Sequence, residues 1–394
     1  MVKHLFKLIW NKKKQNFLLL TEILISFIVI FAVFSFGVFS YKNYMKPMGI
    51  DYEDVWVINY NNPANSTNAD SVTLFYETLK RNVKALPNVI EAGYCSNNFP
   101  FSGNMMSSGL SYQGKAISNV NQFNADLDYI KILNAKMLEG RWYTKDDYLP
   151  GERKMVINKS LKEVSFGKGQ AIGKYLHNYG GKEKIKVIGV IDDIKFNGDF
   201  LPTAKGMYYL LDTAAYKWTG NMMVKVKPGS DAAFEGKLYK TMINSLKNSN
   251  IEIKHLTDKI VNVNKITLVP LIIASIIAAF LIINVALGLF GVLWYNISKR
   301  RGEIGLRRAV GASGNSVSGQ LVAESLILAT FSLLIGSFFA VQFPLLNVFD
   351  LPAMVYIIAL LLAMLFIYLL VLICALYPGR QAANIYPAVA LHEE

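Results

Sequence analysis

The chain has little charge, few histidines and almost no cysteine. Of its 394 residues, 18% are charged and 53% are hydrophobic, whereas a soluble domain carries about 25% charged residues. So high an apolar content excludes an intrinsically disordered chain. The two cysteines, Cys95 and Cys374, lie in a polar and an apolar stretch, which excludes a disulfide scaffold. The composition therefore predicts an integral membrane protein with one large water-exposed domain.

Residues suited to catalysis or metal binding are also scarce. The four histidines are dispersed, and no cysteine or carboxylate pair stands at metal-ligand spacing from any of them. The run 166–174 contains a Gly-Lys pair, but a phosphate loop also needs a glycine five positions earlier and Ser or Thr afterwards. Those places hold Lys168 and Tyr175. We therefore expect no catalytic residue, no metal site and no cofactor in this chain.

Four long segments are apolar enough to cross a bilayer, whose core of about 30 Å needs roughly 20 residues of helix. They are residues 17–41, 266–296, 321–341 and 353–377. The apolar run of about 18 residues in the first exceeds the roughly 7–15 of a secretory signal, so we expect a retained anchor. At about 1.5 Å per residue the second would be roughly 46 Å long. Either tilt or a stalk that projects from the bilayer accounts for that excess.

Positive charge is concentrated in two short segments. Residues 1–16 contain five lysines and no acid, and residues 297–320 contain five Lys or Arg against Glu303 alone. The positive-inside rule places both segments and the tail 378–394 in the cytoplasm, with residues 42–265 outside. The positive charge outside these two segments is dilute, so we do not expect nucleic acid as a partner. We expect the basic residues of the two segments to face the inner leaflet and a protein partner.

Residues 1–16 also carry apolar side chains at helical spacing opposite their lysines, with Trp10 among them. This pattern predicts a short amphipathic helix on the inner leaflet of the lipid bilayer, with Trp10 at the level of the headgroups. An ordinary basic flank before a membrane helix is the alternative that the pattern leaves open.

The water-exposed segment 42–265 has strand–helix–strand patterns at both of its ends. The predicted strands and helices are 55–58, 70–86 and 89–94 near the start, and 222–226, 231–247 and 251–256 near the end. We therefore predict a bracketing lobe (42–110 and 215–265) that lies nearest the bilayer, and an inserted lobe (110–215). The fold class is a membrane protein with four transmembrane α-helices, one before and three after a large two-lobed α+β extracytoplasmic domain.

The cytoplasmic segment 298–313 reads SKRRGEIGLRRAVGAS. As a basic loop it needs no more than a topological role. However, it resembles the signature after the second membrane helix of FtsX-like and MacB-like ABC transporter permeases. Further stretches that resemble this family are 127–133, 137–141, 157–160, 166–167, 172–174, 187–193 and 377–391. The Asn-, Ser- and Met-rich stretch 96–109 has no counterpart that we recognise.

The resemblance implies a non-catalytic permease subunit of the bacterial cytoplasmic membrane. It implies pairing with a second copy or a homologue, and binding of two cytoplasmic ATPase subunits that hold ATP and magnesium. Such permeases work by mechanotransmission, in which ATPase closure moves the external domain. Since this chain has no Walker motif, the ATPase is expected to be a separate polypeptide. A periplasmic adaptor or substrate protein is a further candidate partner.

Two sets of site residues follow. In this family the segment 299–313 includes the coupling helix, a short helix that docks on the ATPase. The candidates there are four charged residues for the rim of the contact and two apolar residues for its centre: Arg301, Glu303, Arg307, Arg308, Ile304 and Leu306. For helix packing in the second membrane segment we predict an interhelical hydrogen bond from Asn284 and close contact at Gly288 and Gly291.

Three functions remain open. The first is an exporter or extractor of a lipoprotein, peptide, lipid or hydrophobic drug. The second is an FtsX-like regulator that activates a cell-wall hydrolase without transport, and the third is a membrane-tethered receptor without an ATPase. FtsX-type external domains are usually smaller than the two-lobed one predicted here, which favours export, and co-purification of an ATPase would exclude the receptor. The cargo, the identity of the partner permease and the need for an adaptor or outer-membrane channel are not encoded in any motif.

Overall fold

The computed structural model describes residues 13–61, 69–178, 180, 183–211, 219–246 and 249–385. Most of the predicted amphipathic helix and the end of the tail lie outside the described residues. The chain divides into two compact units, an external unit of residues 43–267 and a membrane unit of residues 1–42 and 268–394.

The chain contains α-helices and β-strands, each numbered in chain order. The α-helices are α1 (Lys13–Tyr44), α2 (Ala69–Lys84), α3 (Tyr129–Leu133), α4 (Lys159–Phe166), α5 (Ala232–Ser245), α6 (Leu256–Lys299), α7 (Arg301–Ala309), α8 (Gly314–Leu345) and α9 (Ala353–Ala383). The strands are β1 (Val55–Tyr60), β2 (Val89–Tyr94), β3 (Ser107–Tyr112), β4 (Lys115–Ala125), β5 (Met137–Gly140), β6 (Lys154–Asn158), β7 (Tyr175–Asn178), β8 (Lys184–Ile191), β9 (Gly206–Leu210), β10 (Asn221–Val226) and β11 (Ile251–His255).

The two ends of the external unit form one four-stranded antiparallel sheet. Its order is β11-β1-β10-β2, so the two β-α-β units interleave and β1 lies between strands from the far end of the domain. Helices α2 and α5 share a core with these strands, in which Ile58, Tyr76 and Leu238 are fully buried. Strand β2 has the predicted bounds. Strand β11 ends one residue early because the buried Leu256 begins α6.

The section between β2 and β10 forms a seven-stranded mixed sheet. Its order is β5-β8-β6-β9-β4-β3-β7, with β4–β9 and β6–β8 parallel. Asn158 at the end of β6 caps α4, because its Oδ1 accepts hydrogen bonds from Leu161 N at 3.1 Å and Gly206 N at 2.8 Å. One side chain thus joins β6, α4 and β9. The predicted two-lobed α+β fold is confirmed.

A core shared by the two sheets also includes the start of helix α6. Val57 of β1 and Tyr208 of β9 are fully buried in it, together with Leu256 in the first turn of α6. Ile260, one turn later, packs in the same core, as does Met48 from the segment after α1. The residues that follow α1 and those that begin α6 are therefore part of the packed interior of the external unit.

A buried ion pair also joins the two sheets. Lys80 Nζ on α2 lies 2.9 Å from Asp126 Oδ2 and 2.9 Å from Asp128 Oδ2, which both follow β4. Asp126 is fully buried, and its carboxylate accepts hydrogen bonds from the backbone N–H groups of Tyr94 at 2.8 Å and Asp128 at 3.0 Å. Burial on its own lowers the pKa of Lys80, but the two carboxylates raise it above its ordinary value.

The membrane unit contains α1, most of α6, α8 and α9, all long and apolar enough to cross a bilayer. Their common core includes Phe27 of α1, Val285 of α6 and Ala363 of α9. Helix α6 has 44 residues with Pro270 inside it, and at about 1.5 Å per residue it is roughly 66 Å long. It begins ten residues before the predicted membrane segment, so a helical extension lies on the side of the external unit.

Candidate functional site

The short helix α7, in the predicted coupling-helix segment, is anchored to its own chain by Ile304. This side chain is 6% exposed and packs with Ile297, Val317 and Leu321. Ile304 is therefore covered by its own chain, and its predicted contact with a partner stays a prediction. Leu306, on the other side of the helix, is 55% exposed.

Val310, one turn after Leu306, was not among the predicted residues and is 82% exposed. Spacing of four residues places two side chains on the same face of a helix. The two residues therefore form an exposed apolar pair, which we call the α7 patch. The i, i+4 spacing was the signal in the sequence that could have identified Val310.

Five side chains form a closed polar ring around the ends of α6, α7 and α8. Arg300 lies 3.4 Å from Glu303 (Nε to Oε2) and 3.4 Å from Glu324 (Nη1 to Oε2). Arg307 Nη2 lies 2.5 Å from Glu303 Oε1, and its Nη1 donates to Gln320 Oε1 at 2.9 Å. Gln320 Nε2 donates to Glu324 Oε1 at 3.0 Å and so closes the ring. Glu303 and Arg307 were predicted as site residues, whereas Arg300, Gln320 and Glu324 were not.

The other two predicted arginines have different surroundings. Arg308 Nη1 donates to the carbonyl oxygen of Ala312 at 3.2 Å, so the side chain covers the turn after α7. Its proximity to Gly314 also leaves it half-buried. Arg301, in the first turn of α7, is half-buried as well. Glu303 and Arg307 are the more exposed charges and flank the α7 patch.

The predicted packing residues of α6 behave differently from one another. A Cβ added at Gly288 would lie 2.5 Å from Glu22 Oε2, so this glycine makes room for the carboxylate of α1. A Cβ added at Gly291 would meet nothing within 4 Å. Asn284 Nδ2 donates to the carbonyl oxygen of Phe280 at 2.8 Å, in its own helix and not in a neighbouring one. Of the three, Gly288 has a packing role within the described chain.

A loop of the seven-stranded sheet contacts the segments next to both membrane helices. The loop consists of residues 194–200, between β8 and β9. Its Lys195 is 1% exposed, and Lys195 Nζ donates a hydrogen bond to the backbone carbonyl oxygen of Tyr44, the last residue of α1, at 3.4 Å. Lys195 N also donates to Met48 O at 3.1 Å. The ring of Phe200 stacks on that of Tyr44 with 5.6 Å between centroids. Burial lowers the pKa of Lys195.

The same loop binds helix α6 through a reciprocal pair of hydrogen bonds. Asn264 Nδ2 donates to Asp199 Oδ2 at 2.6 Å, and Asp199 N donates to Asn264 Oδ1 at 2.9 Å. Gly198 has a φ of +86°, and a Cβ there would lie 2.4 Å from Asn264 Oδ1, so glycine is required. We call residues 194–200 the junction loop. The sequence predicts that the bracketing lobe lies nearest the bilayer. The junction loop, which belongs to the inserted lobe, also contacts helices α1 and α6.

Two acidic residues, Asp192 and Asp193, precede the junction loop, and Asp193 has a structural role. Ser160 donates to this carboxylate from its backbone N–H at 2.9 Å and from its hydroxyl at 2.6 Å, which fixes the first turn of α4. Among the described residues, no group of three His, Cys, Asp or Glu side chains is placed to hold a metal ion.

Two family models match the chain and together cover most of it. The model of the MacB-like periplasmic core domain matches residues 17–238, more than half of the chain. The chain belongs to the family of MacB-like ABC transporter permeases. The model of the FtsX-like permease C-terminal domain matches residues 275–387 of the permease, including α7 and the polar ring. The family predicted from the sequence is confirmed.

The relatives of the permease include a macrolide export ATP-binding/permease protein, MacB of Aggregatibacter actinomycetemcomitans. It is 25% identical over 233 residues, which cover 57% of the permease and 36% of that protein. The uncharacterized ABC transporter permease YknZ of Bacillus subtilis is 20% identical over 53% of each chain. The permease thus aligns with between about a third and a half of the length of these two relatives. The crystal structure of the periplasmic region of MacB from Actinobacillus actinomycetemcomitans has a TM-score of 0.38 and 16% identity, over 54% of the permease and 93% of that chain.

Proposed function

We propose that the permease couples ATP hydrolysis by a separate cytoplasmic ATPase to movement of its external unit. By this movement it exports or extracts a lipoprotein, a peptide or a hydrophobic compound. The observation that carries the proposal is helix α6, which has the Asn264 contact near its start and leads directly into Arg300 at its end. A helix transmits displacement along its axis because each turn is hydrogen-bonded to the next. The macrolide export named for the MacB relative supports the export reading.

The α7 patch is the proposed centre of the ATPase contact. Leu306 and Val310 are exposed, and the charged side chains of Glu303 and Arg307 flank them. An apolar centre with a charged rim is the usual anatomy of a protein interface. The ATPase supplies the ATP and Mg²⁺ sites, so the permease itself needs neither.

The polar ring is the proposed route from α7 into the membrane helices. A displacement of α7 moves Arg307 and Glu303, and the ring carries it to Arg300 at the end of α6 and to Glu324 on α8. The side chains of Arg300 and Glu324 are only 14% and 16% exposed, so this ion pair resists separation more than a fully exposed pair does. At the other end, the junction loop moves with α6 because of the paired bonds between Asp199 and Asn264.

The proposed setting is the bacterial cytoplasmic membrane. Both termini lie in the cytoplasm and residues 42–265 lie outside, as the charge distribution predicts. The permease pairs there with a second copy or a homologue, and two ATPase subunits bind the pair. A periplasmic adaptor or substrate protein completes the proposed assembly.

A charge swap on α7 tests the ATPase contact. Glu303 and Arg307 form an i, i+4 ion pair, so Glu303→Arg or Arg307→Glu alone breaks that pair and changes the presented charge. The double variant Glu303→Arg/Arg307→Glu restores the pair with reversed polarity. We expect both single variants and the double variant to lose the ATPase that co-purifies with the wild type from native membranes, together with its ATP-driven activity.

Two controls separate docking from local structure. Leu306→Asp should also abolish co-purification, whereas Leu306→Met should keep it, because methionine preserves the apolar surface. Recovery of ATPase binding in the double variant would contradict the proposal, since the internal ion pair alone would then account for the single variants. Unchanged binding in all of these variants would contradict it as well.

A further inference from the structure

A row of asparagines lines a cleft at one end of the four-stranded sheet. The cleft has a volume of about 730 Å³, and five carboxamides line it: Asn59, Asn61, Asn97, Asn221 and Asn250. Val55 and Val57 of β1 pack in the shared core, and Asn59 is the next residue on that face of the strand. Its cross-strand partners, Asn221 on β10 and Glu252 on β11, lie on the same face. A face that served packing alone would continue with apolar residues.

Hydrogen bonds fix the orientation of three of these carboxamides. Asn59 Nδ2 donates to Asn221 Oδ1, and Asn221 Nδ2 donates to Asn97 Oδ1 and to the carbonyl oxygen of Thr219, the last at 2.7 Å. Asn221 is 2% exposed, so it forms the buried base of the row and fixes the positions of Asn59 and Asn97. This chain of bonds uses neither Asn59 Oδ1 nor Asn97 Nδ2. An acceptor and a donor are therefore present at its two ends.

The surroundings of the row carry little charge and adjoin an apolar cavity. Glu252 at the rim pairs with Lys254 at 2.5 Å. A second cavity of about 270 Å³ shares Asn97 with the cleft, and Met105 and Met106 line it with 67% and 39% of their surfaces exposed. These methionines belong to the stretch 96–109, which had no recognised role in the sequence. Methionine adapts its shape to different apolar side chains.

We propose that this asparagine cleft binds an extended, uncharged polypeptide segment through the main chain of that segment. A carboxamide offers the same N–H and C=O groups as a peptide bond, so it pairs with a main chain whatever the side chains are. The edge strand β11 adds a second set of such groups. Tyr60 N donates to Gly220 O at 2.8 Å on the β10 side. Main-chain N–H and C=O groups along an antiparallel strand point alternately to its two sides. Ile251, which lies opposite Tyr60 on β11, therefore directs its N–H and C=O away from β1, towards the outer edge of the sheet.

An added segment would thus pair with the edge of β11 and with the carboxamide row, and would place an apolar side chain between Met105 and Met106. This proposal does not rest on the proposed function, since binding needs neither an ATPase nor movement. Loss of one therefore leaves the other intact, and the two are tested by separate measurements.

The test uses the full-length chain in lipid nanodiscs and a fluorescein-labelled pool of acetylated, amidated decapeptides of random Ser, Thr, Asn, Gln, Val and Leu sequence. Because recognition is through the main chain, the pool should bind as one saturable class in fluorescence anisotropy. Asn97→Ala and Asn59→Ala should each weaken binding by about tenfold. Asn262→Ala, an exposed asparagine on α6, is the matched control and should bind like the wild type.

Four results would contradict the proposal. The first is absence of saturable binding, and the second is wild-type affinity in the Asn97→Ala variant. The third is displacement of the pool by unlabelled chitohexaose but not by the unlabelled pool, which would assign the cleft to a neutral carbohydrate. A pool with Lys and Glu at alternate positions should bind at least about tenfold more weakly, and equal affinity there would contradict the preference for an uncharged segment.

Discussion

The substitution Lys80→Met measures how much the buried ion pair between the two sheets contributes to stability. Methionine keeps most of the volume of the side chain but leaves the carboxylate of Asp126 without its cation, and that side chain has no exposed surface. Removal of one partner of a buried pair costs about 3–5 kcal/mol, because an uncompensated charge remains inside. Backbone N–H groups of Tyr94 and Asp128 still bind the carboxylate, so we expect a loss of about 3–4 kcal/mol, at the lower end of that range.

Thermal unfolding of the full-length chain in nanodiscs, followed by tryptophan fluorescence, is the assay. Trp142 reports on this site because its Nε1 donates to Asp126 O at 3.3 Å. In a domain of this size 1 kcal/mol shifts Tm by about 2–4 °C, so Lys80→Met should lower the Tm of the external unit by roughly 6–16 °C. Lys84→Met is the matched control. The side chain of Lys84 is 36% exposed, so its pair contributes about 1 kcal/mol or less and Tm should fall by less than about 4 °C.

Equal shifts in the two variants would refute the reasoning, since burial would then add nothing to the pair. The double variant Lys80→Met/Asp126→Asn gives a second check. The neutral carboxamide of Asn at position 126 can still accept the hydrogen bond from Tyr94 N, but the buried negative charge of the carboxylate is absent. We expect it to recover at least half of the loss in Tm, and no recovery would contradict the explanation by charge.

The remaining predictions concern acid stability and packing in the membrane unit. Burial raises the pKa of Asp128, but its contacts with Lys80 lower it overall to about 2, below its unfolded value of about 4. Its contribution to the free energy of unfolding, on the order of 2 kcal/mol, is therefore complete above pH 4 and lost as the pH falls towards 2. In the Asp128→Asn variant, Tm should depend less on pH across that range. A Cβ at Gly336 would lie 2.4 Å from Cδ1 of the buried Phe27, so Gly336→Ala should destabilise the membrane unit by about 1–3 kcal/mol. Gly291→Ala, which has open space, should leave thermal unfolding in nanodiscs unchanged.

The strands and helices of the external unit followed from the sequence because local patterns encode them. Pro87 ends the helical pattern that precedes strand β2, and the bounds of this strand were predicted correctly. Helix α7 shows the limit of such reasoning. Ile304 and Leu306 are two positions apart, and at about 100° per residue they face nearly opposite sides of the helix. One of them had to face its own chain, and the sequence does not say which.

Contacts between distant segments were not predictable from local patterns. The junction loop has no periodicity, and its partner Asn264 lies 65 positions from Asp199. The polar ring joins Arg300 to Glu324 only because α8 turns back beside α7. In both places the residue types suit surface loops equally well. Their roles depend on the tertiary fold, which single-sequence patterns do not specify.

The place of β1 in its sheet has a consequence for the biogenesis of the protein. Asn59 of β1 bonds to Asn221, 162 positions later, and at about 5–20 residues per second this strand waits roughly 10–30 s for its partner to be synthesised. All strands of the seven-stranded sheet emerge within that interval, so the inserted lobe can fold first. Meanwhile β1, buried along most of its length in the final fold, is an unpaired apolar segment on the outer side of the membrane. Assembly of the external unit thus depends on protecting β1 until translocation is nearly complete.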